Sequence, residues 1–227
     1  MNKNLIEVKK LNKQFKNNNS TIKVLKNINL NLESGKLIAL IGPSGSGKST
    51  FLHLLALLDK PTKGEIFLVG KKTENISEEQ RNLIIRNNIS IIFQNNNLLS
   101  DFTALENVAI PLIIRGNDYN FSIKKAAKIL SKVNLGHRLD HFPSDLSGGE
   151  QQRVAIARSL ASDTNIILAD EPTGNLDEKT SEEVFSYFLK LKQKNKTILI
   201  ATHNRELARK ADYTLRLSNG NIKRVNA

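Results

Sequence analysis

Gly42-Pro43-Ser44-Gly45-Ser46-Gly47-Lys48-Ser49 is the stretch of this sequence that decides its fold. It fits the pattern G-x-x-x-x-G-K-[ST], follows the apolar run Leu37–Ile41 and precedes the helix-like segment 50–55. This order of strand, loop and helix distinguishes a phosphate-binding loop from a glycine-rich surface turn. The glycines let the backbone aim successive N–H groups at an anion, and the start of the following helix adds partial positive charge. The stretch therefore predicts a site for a nucleoside triphosphate.

Two residues at the end of this loop supply chemistry that a triphosphate needs. We expect the ammonium group of Lys48 to reach the terminal phosphates, and the hydroxyl of Ser49 to take one site on Mg²⁺. A surface turn rich in glycine and serine has no physical need for this lysine and hydroxyl directly after a buried strand. The loop therefore predicts that the triphosphate is bound together with Mg²⁺.

The acidic residues of the site are predicted at the end of a second apolar strand. The apolar run 166–169 leads directly into Asp170 and Glu171. A buried strand that ends in this way delivers Asp170 to the Mg²⁺ side of the nucleotide. Glu171 points elsewhere and is expected to act as general base for the water that attacks the γ-phosphate. Such a run often marks only a strand end, but after a phosphate loop it indicates the acidic half of a hydrolytic site.

A second glycine-rich helix start lies at Leu146-Ser147-Gly148-Gly149-Glu150-Gln151. The residues that follow, 154–160, have helical character, so the serine and the two glycines lie at a helix N-terminus. Two glycines and a hydroxyl at that position form a second anion-binding site, although an ordinary helix cap has the same residues. One chain has one phosphate loop and therefore one triphosphate. A second phosphate-binding site thus indicates a second chain.

Composition limits the class of protein. The 227 residues suffice for one large domain, and the lack of cysteine excludes disulfides and metal sites built on sulfur. We expect no export segment and no membrane-spanning helix, because the apolar runs are much shorter than the ~18 residues that a span needs. The formal net charge of +12 raises the question of nucleic-acid binding, but the lysines are scattered without a long basic block. Work close to anionic lipid headgroups accounts for the charge better.

The succession of segments along the chain predicts an α/β fold. The first third alternates apolar and polar residues, as strands do, whereas 95–145 loses this character and includes an amphipathic helix with Ile123, Ala126 and Leu130 on its apolar face. Strands and helices alternate again from Ile166, and Ser218-Asn219-Gly220 is typical of a hairpin turn. We therefore predict a phosphate-loop core with an antiparallel β edge and a helical insertion.

Together these motifs resemble those of the nucleotide-binding subunits of ATP-binding cassette (ABC) transporters, over the full length of the chain. The phosphate loop matches the family's Walker A motif, Asp170-Glu171 its Walker B pair, and the second glycine-rich helix start its signature. The resemblance implies that Phe15 stacks on adenine, where the family usually has Tyr. The residues that it implies for ATP binding are Phe15, Gly42, Pro43, Ser44, Gly45, Ser46, Gly47, Lys48, Ser49, Thr50 and Gln94.

The resemblance also implies a catalytic set and a set of metal ligands. His203 matches the switch histidine that contacts the γ-phosphate, and Gln94 matches the glutamine that touches Mg²⁺ and faces the membrane partner. The implied catalytic residues are Glu171, His203 and Lys48. The implied Mg²⁺ ligands are Ser49, Gln94 and Asp170.

By the same resemblance, two copies close head to tail as a homodimer around two ATP molecules. Each triphosphate would then be contacted in trans by the partner's signature, which comprises Ser147, Gly148, Gly149 and Gln151. Asn175 and Asp177 match the D-loop at the dimer interface, where many members have Ala in place of Asn175. The implied fold is a P-loop NTPase core of the ABC ATPase type, with an antiparallel β subdomain and an inserted α-helical subdomain. One domain, 1–227, would comprise a RecA-like core with the β subdomain (1–94 and 151–227) and a helical subdomain at about 95–150.

The segment 101–108, Asp-Phe-Thr-Ala-Leu-Glu-Asn-Val, resembles the group of lipoprotein-releasing, macrolide-exporting and cell-division ATPases, and is most similar to the first of these. This implies ATP hydrolysis that powers release of outer-membrane-directed lipoproteins. It also implies integral membrane permease subunits as partners, no nucleic acid, and a peripheral position on the cytoplasmic face of the bacterial inner membrane. A macrolide-exporter or cell-division ATPase is the alternative. An ABC protein that acts on DNA or ribosomes usually has two cassettes or a long inserted coiled coil, and this chain has neither.

Overall fold

The computed structural model describes residues 4–17, 20–174 and 176–225, which form two β-sheets and seven α-helices. In chain order the elements are β1 (Asn4–Asn17), β2 (Ser20–Glu33), β3 (Leu37–Ile41), α1 (Lys48–Leu55), β4 (Lys63–Leu68), β5 (Lys71–Lys72), α2 (Glu78–Asn88), β6 (Ile89–Ile92), α3 (Ala104–Ile114), α4 (Tyr119–Lys132), a 3₁₀ turn (Pro143–Asp145), α5 (Gly148–Ala161), β7 (Ile166–Asp170), α6 (Glu178–Lys192), β8 (Thr197–Ala201), α7 (Arg205–Arg209), β9 (Tyr213–Ser218) and β10 (Asn221–Val225).

The larger sheet has the strand order β10-β9-β3-β8-β7-β6 and is parallel except for β10 at its edge. Its central strands β3, β7 and β8 are short, mostly apolar runs because both faces of the sheet are covered there. Alternate residues of β3 show the two faces: Ile38 and Leu40 pack in a cluster with Phe51 of α1, and Leu37 packs in another with Phe188 of α6. The predicted strands at β3, β7 and β8 are confirmed.

The register of this sheet determines where the predicted site residues emerge. Leu40 of β3 pairs with Ala201 of β8, and Ala201 pairs in turn with Asp170 of β7. The carboxyl ends of these parallel strands therefore lie in one row. The phosphate loop, Glu171 and His203 all begin at this edge, where ligands bind in open α/β sheets.

The smaller sheet is antiparallel, with the order β2-β1-β4-β5, as the alternating pattern of the first third predicts. This sheet requires glycine at position 64, because the φ of Gly64 is +94° and an added Cβ would lie 2.2 Å from the carbonyl oxygen of Lys10. The inward residues Ile6, Val8 and Ile66 join the same apolar cluster as α1. The antiparallel sheet is thus packed directly on the helix that follows the phosphate loop.

Helices α3, α4 and α5 form a third apolar cluster, in which Val108, Leu130 and Val154 are fully buried. The predicted amphipathic helix is α4, and its Ala126 and Leu130 face this cluster. Helix α5 also reaches the large sheet, because its Ile156 packs with the residues that cover β7 and β8. The helix that carries the signature is therefore shared by both parts of the chain.

Two local features test the sequence interpretation further. The C-terminal hairpin is confirmed: Asn219 and Gly220 have φ of 52° and 82°, the left-handed pair that two-residue hairpins favour. Helix α2, in contrast, was not predicted, although its start has a sequence signal. Ser77 and Gln80 form a reciprocal capping box, the S-x-x-Q pattern of a helix N-terminus.

Among the helices of the described ranges, none combines the length and apolar character needed to cross a bilayer.

Candidate functional site

The phosphate loop connects β3 to α1 through backbone shapes that only glycine adopts easily. Gly47 caps α1 with φ of 103°, and a Cβ there would lie 2.5 Å from a methyl carbon of Val24. Gly42 lies as close to the β9 backbone, since its Cβ would be 2.4 Å from the carbonyl oxygen of Leu217. The cap makes no side-chain hydrogen bond, so the first N–H groups of α1 remain available for an anion.

Lys48 is folded back over this loop. Its side chain is 10% exposed, and its Nζ donates to the carbonyl oxygens of Gly42 at 3.1 Å and Pro43 at 3.3 Å. The same Nζ is 3.9 Å from Oε1 of Glu171. The loop carbonyls and this carboxylate hold the ammonium group beside the helix start, where a terminal phosphate would meet it.

Asp170 ends β7 as a buried carboxylate, and its Oδ1 has no hydrogen-bond partner among the described residues. Burial of an unpaired carboxylate oxygen is costly, so this atom is suited to a cation. The hydroxyl of Ser49 and the exposed amide of Gln94 line the same cleft. The described residues contain no cluster of three acidic or histidine side chains that could hold a metal alone. Mg²⁺ is commonly bound by one or two protein oxygens together with substrate phosphates, and Ser49 and Asp170 offer such oxygens at the cleft.

Glu171 and His203 meet although 32 residues separate them. Oε2 of Glu171 accepts the backbone N–H of His203 at 3.2 Å and lies 2.9 Å from its Nδ1. Glu171 has a left-handed backbone, with φ of 45°, stabilised by its N–H bond to the carbonyl oxygen of Ala201 at 2.9 Å. Such a conformation costs on the order of 1 kcal/mol or more for a residue with a side chain and concentrates at functional sites. It turns Glu171 away from the direction in which β7 delivers Asp170.

These groups surround one cleft of about 390 Å³ at the edge of the large sheet. Its lining residues are Val24, Ser44, Gly45, Gly47, Lys48, Ser49, Thr50, Gln94, Asp170, Glu171 and His203. Val24 is the member that the sequence interpretation missed. It belongs to the antiparallel sheet, and only the packing of β2 on Gly47 brings it to the loop, so no local sequence signal identifies it.

The signature residues lie outside this cleft. Ser147 caps α5: its Oγ accepts the N–H of Glu150 at 3.3 Å, and the Glu150 carboxylate accepts the N–H of Ser147 at 2.9 Å. Ser147 and Gly148 are exposed, and a Cβ at Gly148 would meet nothing within 4 Å. The side chain of Gln151 donates back to the carbonyl oxygens of Pro143 and Leu146, at 2.9 and 3.1 Å. Within this chain, Gln151 thus holds the loop that precedes the signature.

Two further predicted residues, Phe15 and Asp177, lie away from this cleft. Phe15 is 46% exposed, with the Nζ of Lys13 4.9 Å from its ring centroid, and it does not line the cleft. Asp177 caps α6 by accepting the N–H of Thr180 at 3.0 Å, and hydrogen bonds from Thr180 lower the pKa of this carboxyl. Asn175 lies outside the described residues.

Comparisons with known proteins show the family to which this chain belongs. A model of the ABC transporter family matches residues 25–174. The lipoprotein-releasing system ATP-binding protein LolD of Rickettsia typhi is 51% identical over 97% of this chain and 98% of its own length. LolD of Acinetobacter baylyi is 43% identical, with 97% of each chain covered. An uncharacterized ABC transporter ATP-binding protein of Methanocaldococcus jannaschii is 46% identical over 96% of this chain and 97% of its own length.

Solved structures show the same fold. The dimeric ABC transporter cassette MJ0796 superposes with a TM-score of 0.92 at 39% identity, over 98% of this chain and 99% of that one. A dimeric post-hydrolysis state of the same cassette, bound to ADP and phosphate, gives 0.92 at 38% identity over the same shares.

Proposed function

This chain belongs to the ABC transporter family, and we propose that it is the ATP-hydrolysing subunit of a transporter that releases outer-membrane-directed lipoproteins from the inner membrane. One observation carries the cargo assignment: proteins named LolD are 43–51% identical to this chain over nearly its whole length. No feature of the described residues favours a macrolide-exporter or cell-division role.

The chemistry of this subunit is hydrolysis of ATP to ADP and phosphate. Lys48 contacts the terminal phosphates, and Glu171 accepts the proton of the water that attacks the γ-phosphate. His203 orients the carboxylate of Glu171 through their 2.9 Å contact and reaches the γ-phosphate once ATP is bound. Lys48, Glu171 and His203 line one cleft, so all three can act on a single bound triphosphate.

Mg²⁺ accompanies ATP as the cofactor. Ser49, Asp170 and Gln94 are the residues that would hold it, since they line the cleft and Asp170 offers an oxygen without a partner. When bound, the ion neutralises charge on the phosphate oxygens. Phe15, on β1 outside the residues that line the cleft, is the residue that would stack on the adenine ring.

The working unit is a pair of these subunits. The signature of one copy, Ser147 to Gln151, completes the nucleotide site of the other, and Asn175 and Asp177 lie at their interface. Dimerisation of the similar cassette MJ0796 supports this arrangement. The subunits act on integral permease subunits of the LolC and LolE kind and associate with the cytoplasmic face of the inner membrane through them.

The cargo assignment is tested by depletion of this protein in the cells that carry it. We expect lipoproteins destined for the outer membrane to accumulate in the inner membrane, as judged by fractionation, and the Glu171→Gln variant to fail to restore delivery. Normal delivery after depletion would exclude this cargo. Purification of the tagged chain from detergent-solubilised membranes should recover a permease with a large periplasmic domain.

A further inference from the structure

The carboxylate of Glu150 is enclosed by the signature and by a residue from a separate loop. One oxygen accepts the N–H of Ser147 at 2.9 Å, and the other accepts the Nε–H of Arg138 at 2.9 Å. Arg138 lies in the segment between α4 and the 3₁₀ turn, 12 residues before Glu150. The Glu150 side chain is 13% exposed and that of Arg138 is 35% exposed, so the carboxylate is the more shielded member of the pair.

Glu150 is ionised at every physiological pH. The hydrogen bond from the backbone of Ser147 is the largest cause, and with those from the Ser147 side chain and Arg138 it holds the pKa of Glu150 at about 2. A full negative charge is therefore fixed within the first turn of α5. A carboxylate there stabilises the helix through its dipole and caps the backbone.

The same turn carries the donors that the proposed function assigns to a partner's triphosphate. The N–H groups of Gly148 and Gly149 have no carbonyl partner within the helix, because they belong to its first turn. The Oγ of Ser147 accepts the N–H of Glu150, and its own proton, which the Glu150 carboxylate also attracts, can be donated to a phosphate that reaches this surface. A polyanion that reaches these donors would therefore lie close to the carboxylate of Glu150.

We infer that Arg138 is a positioning residue of the trans site: it neutralises Glu150, so that an acidic signature can accept the triphosphate held by a second copy. Without the guanidinium, the carboxylate would repel the incoming phosphates in a partly desolvated interface, where charge interactions are strong. Arg138 also fixes one oxygen of the carboxylate, which its Nε–H contacts at 2.9 Å. This inference rests on the proposed two-copy function.

The segment that contains Arg138 is held on α3 by two backbone hydrogen bonds. The carbonyl oxygen of Leu139 accepts the N–H of Leu105 at 3.0 Å, and that of His141 accepts the N–H of Ala104 at 2.8 Å. An NH1 of Arg138 also lies 3.0 Å from Nε2 of His141. The guanidinium is thus placed by its own segment as well as by Glu150, which keeps the counter-charge in position when the carboxylate is altered.

The test measures the ATP concentration needed for half-maximal dimerisation, by light scattering, with the full chain in a Glu171→Gln background. We expect Arg138→Met to raise this concentration about tenfold or more, and Arg138→Lys to raise it less because the charge remains. Adding Glu150→Gln to Arg138→Met should bring it back to within about threefold of Glu150→Gln alone. The control is Arg81→Met, which removes an arginine paired at 3.2 Å with Glu78 on α2 and should leave dimerisation unchanged.

Two further readouts separate a charge effect from a packing effect. Binding of a fluorescent ATP analogue to monomers should be the same in all variants, because Arg138 does not line the cleft. The defect of Arg138→Met should shrink as salt is raised, since screening weakens the repulsion.

Persistence of the defect in the Arg138→Met/Glu150→Gln double variant would overturn the inference and assign Arg138 a packing role only. An Arg138→Met variant that dimerises like its parent would overturn it as well. Failure of the Glu171→Gln parent itself to dimerise at millimolar ATP and Mg²⁺ would refute the two-copy function and, with it, this inference. The behaviour of the parent therefore distinguishes the two failures.

Discussion

The phosphate loop and the signature are both glycine-rich helix starts, but their N-termini are capped differently. Helix α1 begins at a left-handed glycine with no side-chain cap, beneath the buried Lys48 and the Glu171–His203 pair. Helix α5 begins at a serine with a complete capping box and an exposed surface. At the first helix start, the backbone N–H groups have no side-chain cap and lie at the cleft that Lys48, Glu171 and His203 line. The second has its cap hydrogen-bonded within the chain and an exposed surface, which fits the half-site that we propose for another copy.

The largest expected effect is at the general base, in the first half-site. Glu171→Gln should lower the ATP hydrolysis rate roughly 100- to 10,000-fold, the usual contribution of such a base, while ATP binding is retained. The amide keeps the size of the side chain, so a closed, ATP-bound dimer should accumulate. Phosphate release and light scattering measure the two effects, and Glu182→Gln, which alters an exposed ion pair with Lys210, is the control. A variant that hydrolyses ATP normally would exclude Glu171 as the base.

The second prediction concerns the signature half-site alone. Ser147→Arg should leave ATP binding to the monomer intact but reduce hydrolysis roughly 100-fold, because a donor is lost and a long side chain occupies the contact surface. Nucleotide titration and phosphate release together separate binding from turnover. The control is Ser144→Arg, at another exposed serine in the preceding 3₁₀ turn, which should behave like the wild type. If Ser147→Arg weakened binding to the monomer instead, the two half-sites would not be independent.

The third prediction returns to the phosphate loop. Lys48→Ala should weaken ATP affinity roughly 100-fold, about 2.7 kcal/mol, as expected for the loss of a charged donor to the phosphates. Equilibrium titration with a fluorescent analogue measures the change, and Lys71→Ala, at an exposed lysine of β5, controls for the loss of one charge. Unchanged affinity would contradict the assignment of the loop.

A smaller effect on hydrolysis is expected at His203, which follows β8 and contacts the base Glu171. His203→Ala should reduce hydrolysis about tenfold, with little change in ATP affinity, because Glu171 loses the 2.9 Å contact that orients it. His137→Ala, at an exposed histidine between α4 and the 3₁₀ turn, is the matched control. An equal loss in both variants would show that the effect is not specific to this contact.

The smallest effect is on stability, and it probes the capping box of the second half-site. The pKa of Glu150 is about 2 in the folded chain and near 4.5 when unperturbed, so its ionised form stabilises the fold. This contribution is complete above about pH 4.5 and is lost as the pH falls toward 2. Denaturant unfolding should therefore show Glu150→Gln to be less stable than the wild type at pH 7, with the difference disappearing near pH 2. A difference that stays constant with pH would mean that the charge plays no part.

Local patterns in the sequence predicted much of the fold and the residue types of the site. The strands β3, β7 and β8 and the C-terminal hairpin follow from apolar runs and turn residues, which act over a few positions. Helix α2 shows the limit of such patterns: its capping residues were present, but none of its residues is buried, so it has no strong apolar face to signal it.

The contacts within the site could not be derived in this way. The approach of Val24 to Gly47 depends on how the antiparallel sheet packs on α1. The pairing of Arg138 with Glu150 depends on the fold of the segment between α4 and α5. Neither contact can be predicted from the periodicity of the sequence, because each joins residues that belong to different segments and meet only through packing.

The sequence by itself determined that this chain has a phosphate loop, an acidic strand end and a second glycine-rich helix start, since each is a local pattern of residue types. Only the tertiary structure decided which of them meet. The parallel order β3-β8-β7 brings Lys48, Glu171 and His203 to one edge of the sheet, because Leu40, Ala201 and Asp170 pair in register at or next to the ends of their strands. The signature, carried by a helix shared with the helical part, is left exposed outside that cleft.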